Sequence, residues 1–115
     1  MQLESFDAPE TAADTITTFT TDELTAVCPF EFGGPDYYHL TIRYVPDALV
    51  IESKSLKQYL ESYRNTEITA EALAARIHDD ISETIEPSEL YVRLEQARRG
   101  GIEETVEVGE DGLRC

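Results

Sequence analysis

Lysine is almost missing from this sequence, and tryptophan is missing altogether. Lys54 and Lys57 are the only two lysines among 115 residues, beside seven arginines. Basic charge is scarce overall: 9 Lys plus Arg stand against 24 Asp plus Glu, a formal net charge of −15. Such a surface repels a phosphate backbone unless salt screens it, which excludes a basic nucleic-acid-binding domain. Two cysteines, Cys28 and Cys115, are too few for a disulfide framework or a thiolate zinc site, and no metal site is expected. They point to a reducing compartment, and the cytoplasm is the simplest address. Long apolar runs are absent too, with Ala48 to Ile51 among the longest. That is far short of a membrane span, and the acidic N-terminus has neither the basic flank nor the apolar stretch of a signal peptide. Many carboxylates with few lysines suit a high-salt cytoplasm, where screening removes self-repulsion, so a halophilic source is expected.

What is present is the patterning of one globular domain, with no internal repeat and no low-complexity tract. Residues 1–14 are acidic and aperiodic and read as a flexible arm, residues 15–110 as the domain, and 111–115 as a tail. Thr15 to Cys28 reads as extended chain, followed by a glycine-proline corner. Tyr38, Leu40, Ile42 and Tyr44 alternate with Tyr37, His39, Thr41 and Arg43, the pattern of a half-buried strand that Pro46 ends. Ala48 to Ile51 is a short apolar piece leading into a helix over Ser53 to Arg64, where Leu56, Tyr59, Leu60 and Tyr63 form one face. A second helix starts at the N-cap Thr69 and repeats Leu73, Ile77, Ile81 and Ile85 until Pro87 stops it. Leu90 to Ala97 alternates again, and Arg98-Arg99-Gly100-Gly101 turns the chain into Ile102 to Val108. The order ββααββ implies an α+β domain: a four-stranded antiparallel sheet with two helices on one face. Its open edges invite closure by neighbouring copies into a homo-oligomeric ring.

Three places could carry chemistry. Lys54 and Lys57 share one helix face at i, i+3, which is a solvated surface on spacing alone but an anion site, for instance for phosphates, given the scarcity of lysine elsewhere. Cys28 lies before a turn carrying Asp36, an arrangement open to a nucleophilic thiol with a nearby acid and equally to a small buried hydrophobe. Glu71 stands at a helix start, where the dipole alone favours a carboxylate, although it could also take paired N–H donors from a guanine-like edge. His39 and His78 read as structural.

Glu52-Ser-Lys-Ser-Leu-Lys-Gln-Tyr59 resembles the signature of the NADPH-dependent 7-cyano-7-deazaguanine reductases, nitrile reductases of the tunnelling-fold superfamily. Leu-Thr-Ala-Val-Cys-Pro before a Pro-Asp, then Tyr-Val-Pro, Tyr-Arg-Asn and Arg-Gly-Gly-Ile, resemble that family in the same order, from Thr18 to Ile102. The resemblance implies a tunnelling fold, NADPH as cofactor and a deazapurine nitrile as substrate, in tRNA deazaguanine modification. It implies Cys28 as the nucleophile that forms a thioimide and Asp36 as the acid that protonates the nitrogen. Ile51, Glu52, Ser53 and Glu71 match substrate-binding positions, and Lys54, Lys57 and Arg99 match positions that hold the cofactor's phosphates. It also implies a purine site between the subunits of a ring, in stacked pentamers. Two departures are visible: Ala70 stands where the family has a His before the glutamate, and the loop from Cys28 to Asp36 carries an extra residue at Gly33-Gly34. A related archaeal class, which forms the amidine of archaeosine on nitrile-bearing tRNA without NADPH, is the alternative, and a non-catalytic purine-binding protein a second one.

Overall fold

Alternation along the strands decides the architecture. The computed structural model describes residues 2–10, 15–30 and 35–109. The Gly33-Gly34 corner, the tail 111–115 and Cys115 lie outside the described residues.

The elements are β1 (Ser5–Asp7), β2 (Thr17–Val27), β3 (Pro35–Val45), β4 (Leu49–Ile51), α1 (Ser53–Glu61), α2 (Ala70–Ile85), β5 (Glu89–Arg99) and β6 (Ile102–Gly109). β2, β3, β5 and β6 form one antiparallel sheet in the order β2-β3-β5-β6, as the ββααββ pattern requires. On β3 the residues Tyr38, Leu40, Ile42 and Tyr44 are buried, and on β5 Leu90, Val92 and Leu94 join them. The helices close over this face, α2 on β5 and β6 and α1 on β2. The core-facing row of α2 is Leu73, Ile77, Ile81 and Ile85, all at most 1% exposed. Each such side chain contributes about 1.5–3 kcal/mol of burial, which fixes the helix-on-sheet layering. The opposite face is polar: Tyr91 donates to Glu107 at 2.6 Å, and Arg93 pairs with Glu95.

The β5–β6 hairpin turns through Gly100 (φ 57°) and Gly101 (φ 82°), with Arg99 opposite Ile102. Both glycines take the left-handed backbone that a two-residue hairpin loop needs. α2 begins at Thr69, whose hydroxyl accepts from the Ala72 N–H at 3.2 Å, and ends at Glu86 in the left-handed region before Pro87.

Three expectations need correction. The described residues 2–10 are not a loose arm: Leu3 is buried in the core, and β1 pairs with β4 in the register Ser5 to Ile51. Within the short apolar piece, Leu49 to Ile51 form the strand β4 before the chain enters α1. α1 stops at Glu61, because Tyr63 and Arg64 donate to carbonyls three residues back, which tightens the last turn. Tyr63 stays buried, edge-on to Tyr59 with ring centroids 5.4 Å apart, and Tyr59 donates to Asp80 of α2 at 2.5 Å. No described helix is long and apolar enough to cross a membrane.

Candidate active site

Backbone pairing at the end of β2 creates the site. Register places Ala26 opposite Asp36 and Val27 opposite Pro35, so Cys28 emerges one residue past the last pair. Val27 is also held from its other side: its N–H donates to the Thr66 carbonyl at 2.9 Å, and its carbonyl accepts from Ile68 at 3.0 Å. This clamp draws the start of α2 against the end of β2. The outcome is a cavity of about 250 Å³ lined by Cys28, Asp36, Thr69, Glu71, Gln96 and Glu104, together with Pro29, Phe30 and Ala70.

Cys28 is half-buried, and Asp36 is 5% exposed although ionisable. Glu71, in the first turn of α2, shares a carboxyl–carboxyl hydrogen bond with Glu104 of β6. That bond lowers Glu71 below the usual carboxylate range. The same bond, with burial and the nearby Glu71 and Asp36 charges, raises Glu104. Tyr38 is 3% exposed, and its hydroxyl has no hydrogen-bond partner among the described residues. Burial first, then Asp36, Glu104, Cys28 and Glu71, hold this hydroxyl protonated well above the usual tyrosine range. A thiol, a buried carboxyl and a carboxylate acceptor around one small cavity suit addition to an electrophilic carbon borne by a flat base with N–H donors.

The other expected residues lie elsewhere in the same chain. Glu52 caps α1, accepting from the Lys54 N–H at 2.8 Å and the Ser55 N–H at 2.7 Å. These two backbone donors lower its pKa. Ser55 ties the cap to the N-terminal strand, donating to the Glu52 carbonyl and accepting from the Glu4 N–H. Ile51 is 4% exposed and belongs to the core, its N–H donating to the Tyr44 hydroxyl at 3.1 Å. Ser53, Lys54 and Lys57 are exposed. Ser53 and Lys57 line a second cavity, of about 220 Å³, with Thr20, Thr21 and Leu56. Lys57 is the one ammonium in this lining, beside the hydroxyls and the carboxylates of Glu23 and Glu61, so a phosphate held there would meet Lys57 and the hydroxyls. Arg99 lies at the end of β5, beside the hairpin turn. The structure thus brings together Cys28, Asp36 and Glu71, and places Ile51, Glu52, Ser53, Lys54 and Lys57 outside their cavity.

Sequence reasoning missed Glu104, Gln96 and Tyr38. The signal was the phase of alternation. Gln96 continues the inward row of Leu90, Val92 and Leu94, and Glu104 shares the inward phase of Val106 and Val108. A charged residue in that phase marks either an error of register or a site.

Several known proteins are similar to this chain. A curated protein from Caldanaerobacter subterraneus subsp. tengcongensis, named NADPH-dependent 7-cyano-7-deazaguanine reductase, is 44% identical over 100 residues, 87% of this chain and 74% of its own length. One of the same name from Pelodictyon phaeoclathratiforme is 44% identical over 106 residues, 92% of this chain and 90% of its own. A crystal structure described as the archaeosine synthase QueF-Like in the apo form matches with a TM-score of 0.77 at 23% identity. It covers 86% of this chain and 96% of that one, a likeness of fold. The fold is therefore the expected α+β tunnelling fold, with the small β1–β4 sheet added. The profile described as QueF-like protein matches residues 35–113, more than half of the sequence, and with these relatives it makes the chain a member of the QueF-like family.

Proposed function

We propose that this protein reduces the nitrile of 7-cyano-7-deazaguanine to the aminomethyl group of 7-aminomethyl-7-deazaguanine, with NADPH as reductant. The observation that carries this reading is the meeting of Cys28, Asp36 and Glu71 at one cavity, in a chain 44% identical to named reductases. Glu71 accepts the N–H donors of the base and so aims the nitrile at Cys28. The Cys28 sulfur adds to the nitrile carbon while Asp36 relays the thiol proton to the nitrogen, so that S–H adds across the triple bond and a thioimide forms. The nicotinamide supplies hydride when bound. Two hydrides and two protons convert the thioimide carbon to CH2–NH2 and return the free thiol. Lys54 and Lys57, with Arg99, would hold the cofactor's phosphates.

Lys57 lines a different cavity from Cys28, Asp36 and Glu71, and Lys54 lies outside theirs. We therefore read the working site as completed between copies in a closed homo-oligomer, which also pairs the free edges of β2 and β6. On this reading β1 joins residues 15–110 in one catalytic domain, which works in a salt-rich cytoplasm.

The test is a turnover assay in molar KCl with the free nitrile base and NADPH. Two NADPH should be oxidised per amine formed. No oxidation, with amidine formed instead on nitrile-bearing tRNA, would establish the archaeosine-type alternative. Binding of the base without either product would leave a purine-binding protein.

A further inference from the structure

We propose that Glu104 is a positioning residue of this site: its carboxyl donates a hydrogen bond to Glu71 and presents Glu71 to the base as a fixed acceptor. The inference rests on the reading that the Cys28 cavity takes a deazaguanine-like base.

Register builds the arrangement. Leu40, Leu94 and Val106 lie side by side across β3, β5 and β6 and close the apolar core. The next row along the same face is Tyr38, Gln96 and Glu104. The core therefore ends on three polar side chains beneath the first turn of α2, from which Glu71 reaches Glu104. The buried, unpartnered Tyr38 hydroxyl belongs to this row and marks a polar surface with hydrogen-bonding capacity to spare.

Two carboxyl groups side by side in one cavity favour a proton held between them, because adjacent negative charges repel. Glu71 sits at a helix start, which favours its charged form, so the proton resides on Glu104. The directions of the two shifts, Glu71 lowered and Glu104 raised, agree. Glu104 and the backbone N–H of Glu71 itself then engage part of the Glu71 carboxyl, and its remaining lone pairs are left for the N–H donors of the base. The titratable groups facing Glu104 are Glu71 from α2 and Asp36 and Tyr38 from β3, with Cys28 across the cavity from the end of β2.

Equilibrium binding of 7-cyano-7-deazaguanine, measured by calorimetry from about pH 5 to about pH 9, tests this. Cys28→Ala serves as the parent so that no adduct forms. Binding by the parent should fall as rising pH strips the shared proton and the two carboxylates repel. Glu104→Leu should weaken binding about tenfold, as expected for one lost charge-assisted hydrogen bond. Glu104→Gln keeps a donor that does not titrate, so it should bind nearly as well as the parent and lose the alkaline fall that Glu104 causes. Should Glu104→Leu not fold, the profile of Glu104→Gln decides. Parent-like affinity and pH profile in the variants would overturn the role of Glu104 while leaving the reading of the cavity intact. No binding by the parent at any pH would overturn both.

Discussion

The two helix starts of this protein make an instructive pair. The start of α1 is self-contained: Glu52, Ser53, Lys54, Ser55 and Lys57 lie within six consecutive residues, and the cap is made by Glu52 itself. The start of α2 is assembled from afar. Its first turn meets Cys28 from the end of β2, Asp36 from β3, Gln96 from β5 and Glu104 from β6. A surface for a charged ligand can be built by one helical turn, because it needs only exposed cations. A cavity for covalent chemistry must hold thiol, acid and acceptor about one point, and only the register of a sheet supplies that precision.

The comparison breaks if the α1 cations take part in thioimide formation. Lys57→Ala should weaken NADPH binding about ten- to a hundredfold, less in high salt, while labelling of Cys28 by the nitrile stays intact. Mixing the Lys57→Ala protein with a Cys28→Ala protein should restore turnover, since hybrid assemblies contain sites with both halves whole. Loss of labelling in Lys57→Ala, or no rescue on mixing two folded variants, would contradict the division between the two helix starts.

A smaller effect sharpens it. Glu52 is lowered by the Lys54 and Ser55 N–H groups it accepts. A carboxylate depressed in the folded state contributes stability above its unfolded pKa and loses it as pH falls through the folded value. The thermal unfolding temperature of the native protein should therefore fall as pH drops below the ordinary Glu range, and Glu52→Gln should lessen that acid sensitivity. Identical pH profiles for the two proteins would mean that the cap contributes no charge to α1.

The same contrast explains what could be read from the sequence. The alternation of β3, the four-residue repeat of α2, the Gly100-Gly101 turn and the α1 signature are local patterns, and each matches an element of the structure. Residues 2–10 escaped because Ser5–Asp7 has no pattern of its own and becomes a strand only by pairing with β4, some forty residues on. Within the site, Cys28 and Asp36 lie close in sequence, and the family resemblance around them singled both out, while their spacing alone left Cys28 open to a structural role. Glu104 was not legible, since its partner Glu71 lies on another element and only the fold brings them together. Phase within β6 was the available clue: an acid in line with Val106 and Val108.

The most direct measurement is the mass of the intact protein, folded in molar KCl, after exposure to 7-cyano-7-deazaguanine without NADPH. The mass should rise by that of the base, peptide mapping should place the adduct on Cys28 rather than Cys115, and Cys28→Ala should remain unlabelled. An adduct on Cys115, one that persists in Cys28→Ala, or none at all would contradict the assignment of Cys28 as the nucleophile.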